Sequence, residues 1–314
     1  MSTRSKMFTR RQFLVGLGAG GLSLFSCGRA SGPARGTGQT LRLVFYTDVH
    51  ARTEWETPVA LKQATQAINA SNPDLVLAGG DLITDGFQSS AATVAPRWDE
   101  YVKMHEGIEA DVYPAIGNHD LVAAIPEDGT SPAADPRAVF RQRLGVARTF
   151  YAFDAAGYRF FVLDSIEVIG GQLKYRGWIG EEQQEWLRSE LSQLSRTTPL
   201  VVVLHIPLLT AFFGATKGTT FPARPNRVVV NNREVLKLFA EHNLVLVLQG
   251  HMHAKELIRW RDTTFITGGA ICGKWWRGDW FGTREGFNIV TLSGERVDWE
   301  YREYGWMARR PHNA

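Results

Sequence analysis

Five times along this 314-residue chain, a short apolar run stops at a group that can bind a metal or move a proton. Leu41–Thr47 ends at Asp48 and His50, and Asp74–Ala78 passes through Gly79-Gly80 to Asp81. Val112–Ile116 leads to Gly117, Asn118, His119 and Asp120. Pro199–Leu204 stops at His205, and Leu244–Leu248 at Gly250-His251-Met252-His253. Near-continuous runs of Val, Leu and Ile are the pattern of strands covered on both faces, as in parallel sheets flanked by helices. In such sheets ligands bind beyond the carboxyl ends of the strands. Five of the eight histidines fall at these run ends; only His105, His242 and His312 lie elsewhere.

The segments between the runs support this arrangement. Residues 57–70 carry Pro58, Ala60, Leu61, Ala64, Ala67 and Ile68 at helical spacing, so the first two runs bracket a helix and form a β-α-β unit with a right-handed crossover. Further helices are predicted at 96–107, 180–194 and 232–242. Strands are predicted at 150–153 and 158–163, and an antiparallel set at 255–260, 264–268, 286–292 and 296–302. The Pro- and Ala-rich stretch 121–148 and the Pro-, Gly- and Thr-rich stretch 207–230 read as surface loops. Parallel strands early and antiparallel strands late give an α/β fold with mixed sheets, and two facing sheets between helical layers accommodate that order. Hydrophobic content of 44% suffices for one large core, and 21% charged residues exclude a disordered chain. With no internal repeat or interior linker, residues 41–314 read as one catalytic domain.

The N-terminus is an address. Arg10-Arg11 precedes Phe13-Leu14 and a short, Gly-interrupted apolar run to Ser26, which resembles a twin-arginine export signal over residues 1–27. That run is too short to span a bilayer. Leu24-Phe25-Ser26-Cys27 resembles a bacterial lipobox, with Cys27 as the lipidated residue; ordinary cleavage near Ala30 is the alternative. Residues 28–40 read as a flexible linker. The expected location is therefore periplasmic or cell-surface, with the twin-arginine machinery as a partner and a lipid anchor as the one route to a membrane. Residues 1–26 hold four basic groups and no acid, so the net charge of +3 falls to 3 − 4 = −1 for the rest. A near-neutral domain without a dense basic block excludes a nucleic-acid binder. Cys272, the other cysteine, reads as a small buried hydrophobe.

Carboxylate, imidazole and amide oxygens suit Mn, Fe or Zn. A shared carboxylate can hold two such ions close enough to flank both the attacking and leaving oxygens of a displacement. In an extended chain, residues i and i+2 face the same way, which puts Asp48 beside His50 and His251 beside His253.

These motifs resemble the signature of the calcineurin-like metallophosphoesterases, over roughly residues 41–270. The Asp48-x-His50 and Gly250-His251-x-His253 pairs are similar to the class III cyclic nucleotide phosphodiesterase branch. The resemblance implies a four-layer α/β/β/α sandwich and two divalent or trivalent metal ions. Asp48, His50 and His253 would bind the first, Asn118, His205 and His251 the second, with Asp81 bridging. It further implies attack by a metal-bridging hydroxide, with His119 protonating the leaving oxygen and Asp120 orienting His119. The tyrosine ligand of purple acid phosphatases has no counterpart near Gly80-Asp81-Leu82-Ile83, which argues against a charge-transfer ferric site. The stretch after Gly268-Gly269 would return to the site.

The substrate is a small-molecule or lipid-headgroup phosphoester on this reading, with a diester favoured. A phosphomonoesterase or phosphoprotein phosphatase of the same fold is one alternative, and a non-catalytic metal- or phosphate-binding surface lipoprotein another. Lys274-Trp275-Trp276-Arg277 supplies candidate substrate contacts in Trp275, Trp276 and Arg277. Arg52 and Trp55 are candidates to line the pocket. Lys217, Arg224 and Arg227, in the loop after His205, read first as solvated charge.

Overall fold

The computed structural model of the protein describes residues 40–310. The segments expected to be an export signal and a linker, Cys27 included, lie outside the described residues. Among those described, no helix is long and apolar enough to cross a membrane.

The first sheet contains β1 (Leu41–Tyr46), β2 (Leu75–Ala78), β3 (Val112–Pro114), β12 (Gly286–Ser293) and β13 (Arg296–Glu303), in the order β13-β12-β1-β2-β3. β1, β2 and β3 run parallel, and β12 joins the β1 edge antiparallel. The second sheet has the order β10-β11-β9-β8-β5-β4. Its strands are β4 (Tyr151–Ala155), β5 (Tyr158–Val162), β8 (Pro199–Val203), β9 (Asn243–Gln249), β10 (Glu256–Trp260) and β11 (Thr263–Thr267). Here β5, β8, β9 and β11 are parallel. The parallel pairing of β11 corrects the antiparallel expectation for 264–268; only β10 turns back against it.

Alternation along β1 explains the layers. Leu41, Leu43 and Phe45 pack with Val201, Val203, Leu246 and Leu248 between the two sheets. Val44 and Tyr46 point the other way, onto Ala60, Leu61, Trp98 and Tyr101 of α1 (Thr57–Ala70) and α2 (Ala91–Gly107). On the far side, Leu200, Val202 and Val247 meet Leu187, Leu191 and Val235 of α4 (Glu181–Ser192) and α6 (Asn232–Leu238). The central strands of both sheets are buried on both faces, as the α/β/β/α sandwich requires, and this is where the continuous apolar runs fall.

Four differences from the sequence reading have local causes. Helix α2 starts at Ala91 rather than 96, because the Ser90 hydroxyl accepts from the Thr93 amide and caps it. Pro96 sits inside the helix, where the carbonyl it leaves unpaired belongs to the exposed Ala92. The stretch 121–148 is not only loop: α3 (Ala138–Leu144) buries Phe140 and Leu144. Within 207–230 a short helix, α5 (Phe212–Lys217), forms with no buried residue. A hairpin of β6 (Ile166–Gly170) and β7 (Lys174–Gly177) was not anticipated.

Candidate metal centre

The chain turns sharply beyond β1, β2 and β9. Beyond β1, Asp48, His50 and Ala51 donate their amides to Gly80, Asp81 and Leu82, zipping the β1 and β2 exits together. Gly250 donates to His205 O, tying the β8 and β9 exits. The His251 amide donates to Asp48 Oδ2 at 2.9 Å and joins the two sheets.

The extended-segment argument for Asp-x-His does not hold. Asp48, His50, Asp81, His251 and His253 all have positive φ, between 45° and 72°. Non-glycine residues in this region cost of order 1–3 kcal/mol each when held there by their surroundings. The surrounding tight contacts do hold them. A Cβ on Gly250 would fall 2.2 Å from Thr47 Oγ1, and one on Gly117 would fall 2.0 Å from the Asp81 amide.

Two clusters result, both buried. In one, His253 Nε2 lies 3.2 Å from Asp48 Oδ1 and 3.1 Å from His50 Nε2. In the other, His205 Nε2 lies 3.1 Å from Asp81 Oδ2 and 3.2 Å from His251 Nδ1. Asp81 Oδ2 also stands 3.6 Å from His50 Nε2, so this one oxygen faces both clusters. Asp81 Oδ1 is held back by the His119 amide at 2.7 Å. Asp48 Oδ1 and Asn118 Oδ1 are buried without a hydrogen-bond partner. Acceptor oxygens left bare beside imidazole lone pairs are what a divalent cation satisfies.

The outward ring nitrogens fix which lone pairs face inward. His205 Nδ1 donates to Gly79 O at 2.8 Å, His253 Nδ1 to Gly273 O at 2.6 Å, and His251 Nε2 to Asn226 O at 3.0 Å. The opposite nitrogen of each ring is thereby left free to coordinate. The buried charges pair with one another across the clusters. Burial pushes the Asp48 carboxyl up, but the facing His253 and then His205 pull it down to about 2. Burial lowers His205, and Asp81 outweighs this to raise it to about 9. His251 is depressed by burial, then by His205 and Arg227.

His119 stands apart on a single helical turn, Asn118–Asp120. A ring nitrogen of His119 lies within 4.8 Å of ligand atoms of His50 and Asp81. Its Nδ1 accepts the Asp85 amide at 3.1 Å, which leaves Nε2 to carry the proton of the neutral ring. Asp120 does not orient it, contrary to expectation. The Asp120 carboxylate turns back to accept the amides of Gly117 (2.8 Å), Leu82 (2.7 Å) and Ile83 (3.2 Å). It braces the two loops that present Asp81 and Asn118, and burial together with Asp81 raises it to about 8.

The Trp pair divides. Trp275 lies half-buried with its ring 4.5 Å from His253 and 6.1 Å from His50. Trp276 is 1% exposed and donates its indole N–H to His50 O at 2.9 Å, so it is a brace rather than the substrate contact expected. Both have positive φ, which sends the neighbouring rings to different sides. The guanidinium of Arg277 sits over Trp55, 5.1 Å from the ring centre. Arg227, read as solvated charge, instead reaches to 3.4 Å from His251 Nε2, while Lys217 and Arg224 are exposed. Cys272 is buried as expected, but its sulfur lies 3.7 Å from His253 Nδ1.

Sequence reasoning missed Thr47 and Asp85. Thr47 Oγ1 donates to Asp48 Oδ2 at 2.9 Å, and a hydroxyl directly before the ligand was the available signal. Asp85 was signalled only by its place four residues after Asp81.

A family model described as calcineurin-like phosphoesterase matches residues 41–255. The chain belongs to that family, and it is a metal-dependent phosphoester hydrolase. Among solved structures, a dimetal phosphatase from Danio rerio superposes with a TM-score of 0.59 at 16% identity, covering 84% of this chain and 96% of that one. The purple acid phosphatase PPD1 of yellow lupin, Lupinus luteus, gives 0.58 at 18% identity, covering 87% of this chain and 53% of that one. GAP50 of Plasmodium gives 0.54 at 15% identity and 85% coverage of each. At such identities the likeness establishes the fold. No curated protein sequence matches the chain.

Proposed function

We propose that the protein is an exported phosphodiesterase that holds two metal ions, Mn, Fe or Zn. Asp48, His50 and His253 serve the first, Asn118, His205 and His251 the second, and Asp81 both. The observation that carries this reading is the placement of Asp81 Oδ2 between two imidazole clusters, with Asp48 Oδ1 and Asn118 Oδ1 bare and buried. Cations bound there would supply an activated water and neutralise charge on the phosphoryl oxygens.

The chain's own groups do the rest. Arg227 adds a fixed positive charge at the second cluster, where a phosphoryl oxygen can meet it. His119 offers its Nε2 hydrogen to the departing oxygen, and the Asp85 amide on Nδ1 holds the ring in that tautomer. Preference for a diester is supported by the Asp48-x-His50 and His251-x-His253 pairs, export by Arg10-Arg11 and the apolar run after them.

The test compares hydrolysis of bis(p-nitrophenyl) phosphate and p-nitrophenyl phosphate by Mn²⁺-loaded protein. A higher kcat/KM for the diester is expected. Preference for the monoester would make the protein a phosphomonoesterase, and bound metal without any turnover would make it a binding protein.

A further inference from the structure

Three guanidinium groups surround one indole, that of Trp55. Arg52 lies 4.3 Å, Arg277 5.1 Å and Arg310 5.6 Å from the ring centre of Trp55. Like charges gathered this closely repel one another unless anions compensate them. Arg52 shares Glu54 and Asp85, each at a loose 4.0 Å, and Arg97 draws on the same Asp85 at 3.4 Å. Among the described residues, Arg277 and Arg310 make no ion pair. Arg52 Nε is buried without a hydrogen-bond partner. The cage therefore carries more positive charge than its own acids offset, and all three arginines remain partly or fully exposed.

Its position relative to the chemistry is defined by short links. Arg52 is two residues beyond His50, and its head group faces the carboxylate of Asp85, whose amide holds His119 Nδ1. Arg277 follows Trp276, whose indole is bonded to His50 O. His50 and His119 are in edge contact, with ring centres 4.7 Å apart. The cage thus lies on the His50/His119 flank, whereas Arg227 lies on the His205/His251 flank. On the reading above, His119 serves the departing oxygen, which puts the cage on the leaving-group side.

We infer that the substrate's leaving group is itself anionic: the preferred bond is a phosphoanhydride, as in a diphosphate diester, whose second phosphate is received by Arg52, Arg277 and Arg310. This rests on the phosphoesterase reading above. In the reaction, water oxygen forms a bond to one phosphorus and the bridging P–O bond breaks, its electron pair leaving on the second phosphate. Of the two water protons, one balances the departing oxygen and the other passes to solvent, giving two phosphomonoesters. Guanidinium groups fit the second phosphate because they present paired N–H donors to its oxygens. A phosphate also leaves more readily than an alcohol, so it depends less on proton donation from His119.

The test uses a matched pair: a dinucleoside diphosphate, and the dinucleoside monophosphate with the same two nucleosides. Mn²⁺-loaded wild type should favour the diphosphate in kcat/KM. That preference should fall by about tenfold to a hundredfold in Arg277→Ala and Arg310→Ala, as for loss of a hydrogen bond to a charged group, and Arg277→Lys should restore part of it. Arg310 lies on the exposed C-terminal segment, so its variant separates charge from folding. Tryptophan fluorescence should report weaker binding of a nucleoside 5′-monophosphate to Arg277→Ala. His119→Ala should cost the diphosphate less than the monophosphate diester. Wild-type preference for the monophosphate diester, or equal losses on both substrates in the arginine variants, would overturn the inference. So would turnover of bis(p-nitrophenyl) phosphate without turnover of the diphosphate, which leaves the phosphoesterase reading standing. Absence of turnover on every phosphoester would overturn both.

Discussion

Replacing Trp276 with Phe separates a brace from a substrate contact. Trp276 is fully enclosed, and its indole N–H is the partner of the buried His50 carbonyl at 2.9 Å. Phe retains an aromatic ring but removes that donor, and an orphaned buried acceptor costs about 1–3 kcal/mol. Loss of roughly 40 Å³ of side chain adds about 1 kcal/mol, at about 24 cal/mol per Å³ of residual cavity. The sum, about 2–4 kcal/mol, is a large share of a typical domain's stability. Urea unfolding in EDTA measures it without linkage to metal binding, and the midpoint should fall with no change in slope. After metal loading, KM should stay near that of wild type. Undiminished stability with a raised KM would refute the argument and return Trp276 to the substrate wall. Trp275→Ala should behave oppositely, with little loss of stability and a raised KM, because its half-buried ring stands over His253.

Three further outcomes follow from the same geometry. Thr47→Val removes the hydroxyl that donates to Asp48 Oδ2 and should weaken metal affinity by about 10–100-fold in calorimetric titration, as for loss of other groups that orient a ligand. His119→Ala should retain its metals, assayed by elemental analysis, yet lose about 10²–10⁴ in turnover of an alcohol-leaving diester; metal loss would show that His119 is a ligand. His105, on α2 away from the site, is depressed by burial from 6.5 to about 4. Between those values the unfolded chain binds more protons, so stability is intact above pH 6.5 and declines as pH falls toward 4. His105→Gln should flatten the decline by about 3 kcal/mol in unfolding measured across that window; an unchanged slope would contradict the assignment.

The strand exits were legible because they break a strong pattern. Apolar runs such as 244–248 can only end where polar groups become tolerable, and the seven candidate ligands stand at those ends. The backbone there was not legible. Left-handed φ is usually flagged by glycine, but here Asp48, His50, Asp81, His251 and His253 adopt it, held by contacts distant in sequence. Asp120 misled for a related reason. The family resemblance implied contact with His119, yet the tight turn sends its carboxylate back to Gly117, Leu82 and Ile83. The β6–β7 hairpin and helix α3 were hidden because their stability comes from packing rather than periodicity. Phe140 of α3, for example, finds its place against Trp98 of α2, 42 residues earlier. The arginine cage was half visible: Arg52, Trp55 and Arg277 drew notice individually, but the sequence held no sign that they share one ring.

Metal stoichiometry measured alongside turnover tests the central claim most directly. Stripped protein titrated with Mn²⁺ should bind two ions per chain, and diester hydrolysis should rise as the second equivalent is taken up. Full activity at one ion per chain, or with none, would contradict the two-cluster site built around Asp81.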